Sequence, residues 1–204
     1  MILVGQYDSP FVRRVAVTLH HYGFAFERQV LSVFADADAV RAVNPLGQVP
    51  ALRLDDGETL FDSAAILDYL DERAGPERSL TPAQGPDRRA VLRLAAVAAG
   101  LAGKCVAYRG ETVRRPPDKR DPAQAARLAG QIAAALAWLG ARAAGGTLHG
   151  DAITRADVTT AVTVTYIGHK LPDLLTAGAC ADHGAYADRC ERLPAFAAAP
   201  FGEH

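Results

Sequence analysis

Short strand and helix signals alternate through the first 75 residues in an order that leaves few topologies open. Residues 2–4 are a brief apolar strand. Ser9 is placed as a helix N-cap with Pro10 at the first helical position. Phe11, Val12, Val15, Ala16 and Leu19 then follow at helical spacing, Arg13 and Arg14 are expected to face water, and Gly23 ends the helix. A second strand is predicted over 26–31 and a weaker helix over 35–43. Strands over 51–54 and 59–61 are joined by the hairpin signal Asp55-Asp56-Gly57, and a helix over 63–73 is stopped by Gly75-Pro76. The order is β-α-β-α-β-β-α. Long crossovers give parallel neighbours and a tight turn gives antiparallel ones, so the four-stranded sheet must be mixed.

Residues 75–86 carry Gly75, Pro76, Pro82, Gly85 and Pro86, and this density of breakers reads as a linker. Two domains are therefore expected, an α/β unit over 1–77 and an all-helical bundle over 86–204. In the second, a long helix over 87–113 has Leu92, Ala95, Ala96, Ala99 and Cys105 near one face. Another begins at Asp121-Pro122, with an apolar stripe of Ala125, Leu128, Ala129, Ile132, Leu136 and Leu139, and ends at Gly145-Gly146. Trp138 is expected in the core. Residues 158–166 are β-branched and alternate like a strand, yet Thr154 and Asp157 form a capping box just before them. A lone strand inside a helical domain would leave its backbone unpaired, so a buried helix is the reading.

Composition narrows the function classes. The net charge of −1 comes without a basic block, so a nucleic-acid partner is not expected. Arg13-Arg14 and Arg88-Arg89 read as solvated helix faces. Cys105, Cys180 and Cys190 are odd in number and have no paired or metal-ligand spacing, which points to a reducing, cytoplasmic setting. His20, His21 and His169 lack partners at ligand spacing, so no metal is expected. No uncharged apolar run approaches the ~18 residues of a membrane span, and no membrane partner is expected.

Three motifs can carry chemistry. Tyr7-Asp8-Ser9-Pro10-Phe11 puts a hydroxyl at a helix N-terminus, where it could simply cap or could favour a thiolate over a thiol. Asn44-Pro45-Leu46-Gly47-Gln48-Val49-Pro50 ends in a Val-Pro step entering a strand, which can present a backbone edge. Asp62-Ser63 opens an apolar-striped helix, where a cap and a carboxylate site look alike in sequence. Together with the element order, these residues resemble the glutathione S-transferase family, whose first domain is thioredoxin-like.

The resemblance implies a transferase that conjugates the glutathione thiolate to an electrophilic, largely apolar small molecule. Glutathione would be a co-substrate, no cofactor would be bound, and the chain would act as a homodimer. Ser9 would stabilise the thiolate, with Tyr7 the competing hydroxyl. Val49, before a cis Pro50, would pair with the backbone of the cysteinyl unit. Ser63 would hold the γ-glutamyl carboxylate and Asp62 the ammonium. Gln48 and Arg41 are the candidates for the glycyl carboxylate. Tyr7, Phe11 and Tyr108 are candidate walls for the second substrate, between the two domains, with Tyr166 a further possibility. Thr154 and Asp157 are assigned to folding. The absence of cysteine from the first half argues against protein-thiol redox chemistry. A glutathione-dependent isomerase, dehalogenase or peroxidase, and a non-catalytic binding or regulatory protein, are the alternatives that the scaffold allows.

Overall fold

The structure, a computed structural model, describes residues 1–143, 146–176 and 181–202. Cys180 and Gly145 lie outside the described residues. Contacts divide the chain into two units: Met1–Ala83 together with the chain from Glu191 on, and Gln84–Cys190.

The first unit contains β1 (Ile2–Val4), α1 (Pro10–Tyr22), β2 (Glu27–Gln29), α2 (Ala37–Val43), β3 (Ala51–Arg53), β4 (Thr59–Leu60) and α3 (Ser63–Ala74). The sheet order is β2-β1-β3-β4. β1 runs parallel to β2 and antiparallel to β3, and β3 runs antiparallel to β4. This is the mixed sheet that the two long crossovers and the hairpin require. α1 and α3 pack on each other, α1 against β1 and α3 against β3. Leu3, Leu52, Val12, Val15, Leu19, Ile66 and Leu70 form the buried core. The second and fourth strands are shorter than expected, because pairing extends only where a neighbouring strand is present.

Arg13 and Arg14 correct the sequence reading, because both are buried. A final short helix, α9 (Pro194–Ala197), packs on α1 and covers what would be its solvent side. Arg13 Nη1 and Nη2 donate to Glu191 Oε1 and Oε2 at 2.6 and 2.5 Å, and Nε donates to the Ala199 carbonyl at 2.8 Å. Each of the three guanidinium nitrogens donates one bond, two of them to a carboxylate, which makes burial of the charge tolerable. Arg13→Met keeps volume but removes the two charged hydrogen bonds that the Glu191 carboxylate accepts from it. It is expected to lower stability by about 2 kcal/mol, discounted because Glu191 is partly solvated. Urea unfolding of the variant measures this, and Glu191→Gln should lose less.

The breaker-rich stretch is tied down rather than loose. The Tyr22 hydroxyl donates to Asp71 Oδ1 at 2.5 Å and accepts from the Leu80 N–H at 2.6 Å. Arg78 Nη2 donates to the Tyr22 carbonyl. Leu80 and Thr81 are buried as a result.

The second unit contains α4 (Gly85–Arg109), a wider helical turn at Gly110–Arg114, α5 (Pro122–Ala143), α6 (Arg155–Lys170), α7 (Asp173–Thr176) and α8 (Ala181–Glu191), whose last residue groups with the first unit. α4 packs on α5 and α6. Its buried stripe is Val91, Leu94, Ala95, Ala98, Leu101, Ala102 and Cys105, rotated from the expected face, so Ala96 is exposed. In an alanine-rich helix small residues appear on every side, and the larger Val91, Leu94 and Leu101 decide which face turns inward. By length and composition the helix from Gly85 to Arg114 could cross a bilayer, but its apolar stripe is the face packed on α5 and α6. On α5 the expected Leu128, Ile132, Leu136 and Leu139 are buried. Trp138 is only half-buried, with the Arg142 guanidinium 3.7 Å from its ring centroid. Its ring covers surface beside cationic groups instead of filling the core.

The ambiguous segment is helical. Residues 155–164 of α6 are all buried, and Thr159 and Thr163 hydroxyls donate to carbonyls one turn back. Burial on every side explains its β-branched composition, since no polar face is needed. The capping box is present, and Asp157 accepts from the Thr154 N–H and hydroxyl at 2.9 and 2.7 Å. The same carboxylate accepts from the Leu148 N–H at 2.8 Å and the Tyr186 hydroxyl at 2.7 Å.

Candidate functional site

The first half of α1 connects all three motifs. Ser9 caps it, its Oγ accepting from the Val12 N–H at 3.4 Å. That bond is long and uses one lone pair, so the hydroxyl proton is left to donate elsewhere. One turn away, Val12 Cγ2 lies 2.6 Å from where a Cβ on Gly5 would stand, and Val49 Cβ lies 3.0 Å from it. Gly5 thus lets β1, α1 and the approach to β3 close on one point. Arg14, further along α1, reaches Ser63 at the start of α3.

The loop before β3 is organised by Asn44, which is buried. Its amide donates to the Gln48 carbonyl at 2.9 Å, and its Oδ1 accepts from the Leu46 N–H at 3.0 Å. The Gly47 N–H donates to the Asn44 carbonyl. The Val49–Pro50 peptide is cis. Val49 N–H and C=O make no bond to another backbone group among the described residues, although β3 begins two residues later. A half-buried backbone edge is therefore presented. Gln48 is exposed.

At α3, Asp62 is the N-cap, and its Oδ1 accepts from the Ala64 N–H at 2.7 Å. Asp62 is exposed, whereas Ser63 is buried at 2% exposure. Ser63 Oγ accepts from Arg14 Nε at 3.2 Å and Nη2 at 2.6 Å, and its own proton is directed to Asp62 Oδ1 at 3.3 Å. A donor hydroxyl, a helix N-terminus and a nearby cation favour a carboxylate at this point.

The glutathione S-transferase N-terminal domain family model matches residues 3–78. A crystal structure of a glutathione transferase family member from Pseudomonas fluorescens Pf-5, with bound glutathione, is 33% identical with a TM-score of 0.86, covering 97% of both chains. This chain belongs to the glutathione S-transferase family. It is also similar to the Escherichia coli K12 uncharacterized GST-like protein YibF, 29% identical over 170 residues, 83% of each protein. The maleylacetoacetate isomerase of Pseudomonas aeruginosa is 37% identical over 78 residues, 36% of this chain and 37% of that protein.

In this glutathione S-transferase fold some expected residues are differently placed. Tyr7, expected as a competing hydroxyl or a substrate wall, is only 2% exposed, and the Arg28 guanidinium lies 3.5 Å from its ring centroid. Burial raises its pKa, and the nearby Arg28 charge only partly offsets this. A buried, covered phenol cannot front a ligand cleft. Phe11 is half-buried on the first turn of α1. Tyr108 belongs to the second unit, half-buried near the end of α4 with its carbonyl accepting from Thr112. Tyr166 is buried in α6. Arg41 pairs with Asp38 on the same exposed helix face. Burial pushes the Cys105 thiol up to about 12, so it stays protonated and unreactive. Among the described residues no group of three or more His, Cys, Asp or Glu side chains is placed to hold a metal ion.

Gly5 and Arg14 were missed, and Asn44 stood in its motif without a role. Gly5 follows the first strand and gave no turn signal. Asn44 precedes a proline in a loop and can bond its own backbone two residues on, a pattern the sequence does offer. Arg14 was hidden by the assumption that an arginine pair on a helix faces water.

Proposed function

We propose that this protein is a glutathione transferase in which Ser9 holds the bound thiolate for attack on an electrophilic, largely apolar small molecule. The observation that supports this most is the junction at α1. One helical turn carries the Ser9 hydroxyl, abuts the unpaired Val49 edge through Gly5, and is followed by the arginine that grips Ser63. Glutathione is a tripeptide with a backbone to pair, a carboxylate and ammonium at one end, and a thiol in the middle. In this reading the cysteinyl backbone pairs with Val49, the γ-glutamyl carboxylate lies at Ser63, and the ammonium faces Asp62. Gln48, exposed beside Val49, is the donor for the glycyl carboxylate, since Arg41 is already paired. The sulfur then lies at the α1 N-terminus, where the helix end and the Ser9 O–H stabilise its charge. Phe11 supplies apolar surface for the electrophile.

Ser9→Ala tests the assignment. The fold should lose about 1 kcal/mol for the cap. A free thiol of this kind ionises near pH 8.5. Losing one hydrogen bond to the charged sulfur should raise the apparent pKa of kcat/KM by roughly one or more, with a loss near tenfold at neutral pH. An unchanged profile with a nitroaryl halide as electrophile would move the role to backbone amides. Thermal shift with millimolar glutathione separates a ligand-competent enzyme from a scaffold, since a native-state ligand must raise the midpoint.

A second reading is favoured by the isomerase relative: the same thiolate could add to a double bond, allow rotation and leave again. Conjugation and isomerisation assays distinguish the two. The proposed assembly is a homodimer in the cytoplasm. Phe34 and Leu46 stand 63% and 69% exposed in the first unit, apolar surface that a second copy would cover. Sedimentation equilibrium of Leu46→Lys against wild type tests this.

A further inference from the structure

We infer that Arg14 is a positioning residue that makes the Ser63 hydroxyl an obligate donor, and so sets the preference of the α3 N-terminus for a ligand carboxylate. This rests on the reading that the γ-glutamyl end of glutathione lies at Asp62-Ser63. A serine hydroxyl has two lone pairs and one proton. Both lone pairs of Ser63 Oγ face Arg14, which donates from Nε at 3.2 Å and from Nη2 at 2.6 Å. Only donation remains, and the proton is directed at a carboxylate oxygen, Asp62 Oδ1, at 3.3 Å. That bond is longer than an O–H···O contact prefers, so a better-placed carboxylate can take it over.

The guanidinium adds more than occupancy. Arg14 is 5% exposed and Ser63 2%, so the cation lies behind the hydroxyl with little water between. Donation by a hydroxyl that itself accepts from a cation is strengthened by polarisation. An arginine serves here better than a lysine, because its planar fork can meet one oxygen from two nitrogens. Ala64 N–H is already held by Asp62, and Ile66 N–H by the Asp62 carbonyl, so the helix start can offer a ligand the Ser63 hydroxyl and the Ser63 and Ala65 N–H groups. The Ser63 N–H has no partner among the described backbone bonds.

The test compares glutathione with γ-aminobutyryl-cysteinyl-glycine, the same peptide without the γ-glutamyl carboxylate, by calorimetric titration of the full chain. Wild type is expected to prefer glutathione by about tenfold or more, the value of a hydrogen bond to a charged group. In Arg14→Met the preference should fall toward one, by loss of glutathione affinity alone, with the shorter peptide within about twofold of wild type. Arg14→Lys, a single-point donor that keeps the buried charge, should retain part of the preference. Equal weakening of both peptides in folded Arg14→Met would show a merely structural role and overturn the inference. So would an undiminished preference. If Arg14→Met does not fold, Arg14→Lys decides, and a wild-type preference there overturns the inference. Wild type that binds neither peptide would instead refute the glutathione reading itself. Wild type that binds both equally would refute only the docking of the carboxylate at Ser63, and the inference with it.

Discussion

Asp157→Ala is expected to cost about 4 kcal/mol of stability, a large share of the 5–15 kcal/mol that holds a native domain together. Asp157 is fully buried and is the shared acceptor for the Leu148 N–H, the Thr154 N–H and hydroxyl, and the Tyr186 hydroxyl. Truncation leaves the Leu148 amide buried without its acceptor and takes from the Tyr186 phenol its carboxylate partner, leaving it only Cys190, at about 1–3 kcal/mol each, and it removes the Asp157 half of the α6 capping box as well. The Tyr186 pKa is driven far up by burial and by the Asp157 charge, so its hydroxyl is a proton donor at any ordinary pH. Tyr186→Phe is the control. It removes one donor without orphaning the carboxylate, which keeps three, and should lose only about 1 kcal/mol. Urea unfolding followed by far-UV circular dichroism reads both. If the two variants unfold at the same denaturant concentration, the carboxylate is not the hub described.

That hub shows how far the sequence could be read. The capping box was visible because Thr154 and Asp157 are three residues apart, and its pattern is local. Leu148 and Tyr186 were not visible, because their contacts depend on a loop and on a helix 29 residues further along. The same divide runs through the site. The cap at Ser9, the Val49–Pro50 step and the α3 start at Asp62-Ser63 are local patterns, and the structure places each where the spacing put it. Arg13 and Arg14 were read as solvated because helical periodicity describes one covered face. Here α9, from the far end of the chain, covers another. Tyr7 gave no signal of burial, since a phenol beside a helix start is equally at home in a core or at a cleft. The α4 stripe was misplaced because alanine alone carries little information about which side faces inward.

Gly5→Ala should damage both stability and glutathione binding, although residue 5 has no side chain to offer a ligand. At φ +127° an alanine backbone is strained by about 1–2 kcal/mol. Its methyl would stand 2.6 Å from Val12 Cγ2 and 3.0 Å from Val49 Cβ, contacts that cannot persist. Forced relaxation of a packed core costs a further 1–3 kcal/mol, giving roughly 3 kcal/mol in total. The direction of relaxation matters more than the sum. Either α1 moves at the turn that carries Ser9, or the Val49 backbone withdraws from the edge proposed to pair with the tripeptide. Glutathione affinity should therefore fall by about tenfold or more, as expected when binding groups shift by an ångström. Gly57→Ala separates strain from crowding, because Gly57 also has a positive φ but no atom lies within 4 Å of the added methyl. It should lose about 1 kcal/mol and leave affinity unchanged. Val12→Ala makes room on one side, so the Gly5→Ala/Val12→Ala pair should lose less than the sum of the single variants. Strict additivity, or unchanged glutathione affinity in folded Gly5→Ala, would mean that the α1–Val49 junction does not govern the site.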